Sequence, residues 1–152
     1  MRILGITGGT GSGKTTLLRL VERRGGTAID CDALYHELLC TDQALQAAIS
    51  ARFPAAATED GLDRKKLGSM VFSDESALRD LNAITHGAVC REVKRRLERA
   101  EKNGCRIAAI DAIALFESGL AELCDMTVAV AAPRELRIGR LMRREGISRT
   151  YA

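Results

Sequence analysis

Short apolar runs alternate along this chain with longer stretches of helical spacing, and that alternation predicts an α/β fold. Arg2 to Thr7 is a short apolar run that stops abruptly at Gly8 and Gly9, as a buried strand does before a turn. A helix is expected from about Gly13 to Arg24, ended by Gly25 and Gly26, and Thr27 to Asp30 reads as a second strand. From Ala33 to about Asn103 the pattern is helical throughout, punctuated near Pro54, Gly61 and Ser73, and the longest helix is expected from Asp74 to about Lys102 with Gly104 just past its end. Two further runs, Arg106 to Asp111 and Met126 to Val130, are too short for helices and mostly apolar, which suits strands covered on both faces of a parallel sheet. Pro133 then opens a basic helix that runs through about Glu145 and closes at Gly146. These elements imply a doubly wound parallel α/β sheet with its site at the carboxyl ends of the strands. With no internal repeat or linker, one domain is expected over 1–152, with a helical insertion over about 33–104 and a lid helix from about 133.

Composition narrows the function classes. A chain of 152 residues, 46% of them hydrophobic, can bury roughly 70% of its unfolded surface and needs no covalent staple. Lys and Arg number 23 against 20 Asp and Glu, and there are two Tyr, three Phe and no Trp; so even a balance and so few rings exclude a dedicated nucleic-acid binder. The five cysteines (Cys31, Cys40, Cys90, Cys105, Cys124) are widely spaced and form no C-x-x-C pair, so they read as reduced thiols of a cytoplasmic protein. No apolar stretch approaches the ~18 residues of a spanning helix, and the N-terminal run is too short for a signal peptide.

The chemistry concentrates in Gly8-Gly9-Thr10-Gly11-Ser12-Gly13-Lys14-Thr15, which satisfies G-x-x-x-x-G-K-[ST] after a strand and at the opening of a helix. Such a loop turns successive N–H groups toward a phosphate, and the helix N-terminus adds its positive dipole end. Lys14 is expected to reach the β- and γ-phosphates and the Thr15 hydroxyl to ligate Mg²⁺. At the end of the second strand, Asp30 and Asp32 stand at i and i+2 and are expected to point the same way, presenting two carboxylates together at the edge where the phosphate loop sits. One could then accept the proton of an attacking hydroxyl and the other help hold a magnesium-bound water; alternatively the pair starts a turn and caps the next helix. Asp111 ends the apolar run IAAI, as does an acid at the tip of a strand beside the phosphate loop that positions Mg²⁺. Arg137, Arg140 and Arg144 fall at i, i+3 and i+7, a basic stripe that could close over a transferring phosphoryl group or simply face solvent. The denser run around Lys94-Arg95-Arg96 is interleaved with glutamates and reads as a solvated face. His86, within the long helix beside apolar Ile84 and Val89, reads from its surroundings as a packed core histidine and not as a catalytic one.

A GTP-dependent switch would need N-K-x-D and D-x-x-G elements and a transport ATPase an L-S-G-G-Q signature; none occurs. A small-molecule kinase remains. The chain resembles the dephospho-CoA kinase family in ITGGTGSGKTT, in IDCD followed by a helix, in GLDRKKLGSMVF, in LNAITH, in DAIALFESGL and in the stretch from Pro133 to Arg144, in family order across essentially the whole length. The resemblance implies ATP-dependent phosphorylation of the ribose 3′-hydroxyl of dephospho-CoA, the last step of coenzyme A synthesis. It also implies that Gly11, Ser12, Gly13, Lys14, Thr15 and Thr16 bind ATP, that Asp32 is the catalytic base, that Thr7, Arg64 and His86 line the acceptor side, and that Arg140 and Arg144 belong to the lid, with Arg140 and Lys14 serving catalysis. Two positions depart from the family pattern: His86-Gly87 stands where His-Pro is usual, and Asp111-Ala112-Ile113-Ala114-Leu115 where Asp-x-Pro-Leu-Leu is usual. The family also continues beyond the lid's first helix, so the sequence ending at Ala152 is expected to be a truncated member. A non-catalytic remnant and a shikimate-type kinase are the alternatives; the latter would need a mid-chain glycine triplet, which is absent.

Overall fold

The computed structural model describes residues 1–58 and 61–152. They form two compact units: residues 1–31 together with 95–152, and residues 32–94. The chain passes from one to the other after Cys31 and within the long helix at Lys94-Arg95.

The first unit is built on a parallel sheet of strands β1 (Arg2–Thr7), β2 (Thr27–Asp30), β5 (Ile107–Asp111) and β6 (Met126–Ala129), in the order β2-β5-β1-β6. Parallel neighbours cannot be joined by tight turns, and here the first crossover is helix α1 (Lys14–Arg23). Its apolar face supplies Leu18 and Val21 to a core with Ile6 and Ala109, flanked by Leu4, Leu17, Ala28, Ile107 and Val130. Ala108, Ala109 and Ile110 of β5 are fully buried, which explains why β5 reads as a continuous apolar run and not as an alternating one. The register sets Ile6 opposite Asp111, Asp30 opposite Asp111, and Thr7 opposite Ala129, so the four carboxyl ends share one edge. Helix α6 (Arg134–Glu145) follows Pro133 and ends at Gly146, as the sequence predicts.

The other end of this sheet is tied by charge. Ile3 N–H donates to Asp125 Oδ2 at 2.7 Å and Arg2 Nη1 to Oδ1 at 3.3 Å. The Ile3 hydrogen bond, helped by the Arg2 guanidinium, holds the Asp125 carboxyl below its ordinary value. A depressed carboxyl contributes stability that is present above its unfolded pKa and lost as pH falls through its folded one. Asp125→Asn should therefore lower the melting temperature at neutral pH, and the gap to the parent should close in acid. A gap that persisted at low pH would assign the effect to packing.

The second unit contains α2 (Cys31–Thr41, from its second residue), α3 (Gln43–Arg52), a two-stranded antiparallel pair β3 (Ala57–Thr58) and β4 (Gly61–Leu62), α4 (Arg64–Phe72) and the first part of α5 (Glu75–Lys102). Asp42 caps α3 by accepting from Leu45 N–H, and Asp63 caps α4 by accepting from Lys65 and Lys66 N–H. Leu34, Leu45, Ile49, Phe53, Leu67 and Val93 are its most buried large side chains. Two expectations are corrected here. The region is not helical throughout, because β3 and β4 interrupt it; two-residue strands leave no periodic signal. And the first helix starts at Cys31, directly after β2, not at Ala33. Among the described residues no helix is long and apolar enough to cross a membrane.

Candidate active site

The sharp stop after β1 is made by Gly8, whose φ of 142° favours glycine and whose Cβ would lie 2.3 Å from the Val130 carbonyl oxygen. From there the chain turns through 9–13, with Ser12 N–H donating to Gly9 O at 3.1 Å, and enters α1. That helix has Gly13 at its N-cap with no side-chain cap and no acidic residue in its first turn. Its positive dipole end is therefore neutralised by nothing in the cap or first turn. Lys14 is buried, with Nζ donating to Gly8 O at 2.9 Å across the loop. Ser12 is also buried, and its Oγ has no hydrogen-bond partner among the described residues. An orphaned buried hydroxyl costs about 1–3 kcal/mol, a cost that a phosphate oxygen in the loop would remove. Thr15 and Thr16 are exposed at the mouth of the loop.

Asp111 ends β5 between β1 and β2 and is only 6% exposed. The pairing of Asp30 with Asp32 by strand alternation is not what forms. Strand β2 ends at Asp30, and Asp32 stands in the first turn of α2. The acidic pair that the sheet builds is Asp30 with Asp111, register partners on adjacent strands. Sequence reading could not see this pair, because 81 positions separate its members and only strand order joins them.

The arginine stripe divides. Arg137 Nε donates to Thr10 O at 2.9 Å, and Arg140 Nη1 donates to Gly11 O at 3.0 Å and Ser12 O at 2.9 Å, so both reach the phosphate loop. Arg144, a full turn beyond Arg140, instead makes an exposed ion pair with its neighbour Glu145. Thr7 Oγ1 donates to Ile113 O at 3.2 Å, tying β1 to the loop after β5.

Within the second unit, Arg64 is exposed, its Nη2 donating to His36 O at 3.3 Å and Cys40 Sγ at 3.1 Å. Burial pushes the Tyr35 hydroxyl up, and Arg64 partly offsets it. His86 is half-buried on α5, not packed away as its neighbours suggest.

A parallel sheet whose first strand feeds a buried-lysine phosphate loop, with an acid ending the adjacent strand, defines the P-loop nucleotide-binding class. A family model described as dephospho-CoA kinase matches residues 2–152, and the chain belongs to that family. It is 38% identical to the dephospho-CoA kinase of Geobacter sulfurreducens, over 100% of this chain and 78% of the relative, and 41% identical to that of Anaeromyxobacter dehalogenans, over 97% and 71%. A crystal structure from Thermus thermophilus superposes with a TM-score of 0.83 at 35% identity, covering 99% of this chain and 75% of that one. The fold is shared also with a Campylobacter jejuni dephospho-CoA kinase, TM-score 0.67 at 23% identity over 99% and 77%. Members of the family are ATP-dependent phosphotransferases of the last step in coenzyme A synthesis, and neither the shikimate-type nor the non-catalytic alternative is favoured by these matches.

Proposed function

We propose that this chain transfers the γ-phosphoryl group of ATP to the ribose 3′-hydroxyl of dephospho-CoA, with the loop 8–15 holding the donor. The observation that carries the reading is the loop itself. A buried lysine, a buried hydroxyl without a partner among the described residues and a helix N-terminus without a side-chain cap converge on one small region, and together they suit a polyanion. Gly11, Ser12, Gly13, Lys14, Thr15 and Thr16 bind the phosphates. Asp32 accepts the proton of the 3′-hydroxyl as its oxygen bonds to the γ-phosphorus, the bond to the β-phosphate oxygen breaks, and ADP leaves. Thr7, Arg64 and His86 serve the acceptor, and Arg140 serves the transferring group from the lid helix.

Mg²⁺ belongs to this reading. Among the described residues no cluster of three or more His, Cys, Asp or Glu could enclose a metal, yet Mg²⁺ needs none: it takes one or two protein oxygens and completes its shell with water and substrate phosphates. The Thr15 hydroxyl and the Asp111 carboxylate are hard oxygen donors of the right kind, and would hold it. When bound, Mg²⁺ neutralises charge on the phosphates.

The test is a coupled assay of ADP formation with ATP, Mg²⁺ and dephospho-CoA, and with shikimate as control acceptor. Transfer to dephospho-CoA alone is expected; transfer to shikimate, or to neither, refutes the assignment.

A further inference from the structure

The phosphate-loop pattern requires glycine only at Gly8 and Gly13, yet Gly9 and Gly11, at positions the pattern leaves free, are glycine too. Both abut one residue of α6, Arg137. A Cβ on Gly9 would lie 2.5 Å from Arg137 Nη2 and 2.8 Å from its Cζ, and a Cβ on Gly11 would lie 3.0 Å from the Arg137 carbonyl oxygen. The guanidinium thus occupies the space that a side chain at Gly9 would fill, while its Nε donates to Thr10 O at 2.9 Å. Resting on the reading of this loop as the ATP site, we propose that Arg137 is a positioning residue that clamps the loop in its phosphate-binding shape.

A cradle that turns N–H groups toward an anion turns the carbonyls of the same peptide units the other way, and those carbonyls need donors of their own. Arg137 holds the Thr10 carbonyl, which sets the direction of the Gly11 N–H in the same rigid unit. Arg140 holds the Gly11 and Ser12 carbonyls, the latter sharing its unit with Gly13 N–H. Glycines left free of this clamp would sample many loop shapes. Arg137 acts through the loop and on neither substrate directly.

The experiment compares Arg137→Ala, Arg137→Gln and Arg137→Lys by calorimetric ATP affinity and by the KM for dephospho-CoA. The amide nitrogen of Gln stands as many bonds from the backbone as Nε of Arg, so Gln restores the donor without charge; Lys restores charge but places a methylene there. Loss of a charge-assisted hydrogen bond predicts ATP binding weakened roughly tenfold in the Ala variant, with KM for dephospho-CoA unchanged, substantial recovery in Gln and little in Lys. Unchanged ATP affinity in Arg137→Ala overturns the proposal. So does recovery in Lys and not in Gln, which would assign Arg137 to bulk charge, or an equal loss toward both substrates, which would mark a general structural role. If the Ala variant does not fold, the Gln and Lys pair decides alone. A parent chain that fails to bind ATP would overturn the site reading itself, a result distinct from any of these.

Discussion

Lys14→Ala should abolish phosphoryl transfer and weaken ATP binding. Lys14 is buried as a residue and its part-buried ammonium spans the loop to the Gly8 carbonyl, so its charge acts where water screens it less than at an exposed site. Backbone N–H groups carry only partial charges and cannot offset a triphosphate alone. Removing one preorganised electrostatic donor typically costs ~10²–10³ in kcat. Loss of a charged hydrogen bond in the ground state should lower ATP affinity by about 10- to 100-fold. Calorimetry with ATP and a transfer assay read the two effects separately. Unchanged affinity together with unchanged rate would remove the phosphate loop from the mechanism.

Asp32→Asn should have the opposite distribution, a large loss in rate with little loss of ATP binding. The substitution keeps shape and removes the proton acceptor, and a positioned general base contributes ~10²–10⁴-fold. A base that acts only as the hydroxyl attacks lowers kcat and kcat/KM together and leaves nucleotide affinity within about twofold. Asp32 also lies in the first turn of α2, where a carboxylate favours the helix dipole by ~0.3–1 kcal/mol. A slightly lower melting temperature is therefore expected as well. Activity close to that of the parent, accompanied by the same small drop in melting temperature, would reduce Asp32 to a helix-start acid.

Much of this molecule could be read along the chain because the signals are local. Strand β1 and helix α1 declare themselves by an apolar run, a glycine stop and a glycine opening within some twenty residues, and backbone geometry demands those residue types wherever the chain turns so tightly. The same holds for α6 between Pro133 and Gly146. The caps Asp42 and Asp63 were also within reach of local reading, since each bonds N–H groups two or three residues on. The β3 and β4 pair was not, because two residues are too few to establish a period.

Nonlocal features needed the packed chain. Strand order brings Asp111 between β1 and β2 and opposite Asp30, and no spacing rule links residues so far apart. The end of β2 at Asp30 decides that Asp32 belongs to a helix, a boundary one residue wide on which the direction of a carboxylate depends. The arginine stripe illustrates the division most clearly. Helical periodicity placed Arg137, Arg140 and Arg144 on one face from residue spacing alone, since 3.6 residues per turn is a property of the backbone. Which of them meets the phosphate loop depends on how α6 lies against chain more than 120 residues earlier, and close packing there admits Arg137 and Arg140 and leaves Arg144 to Glu145.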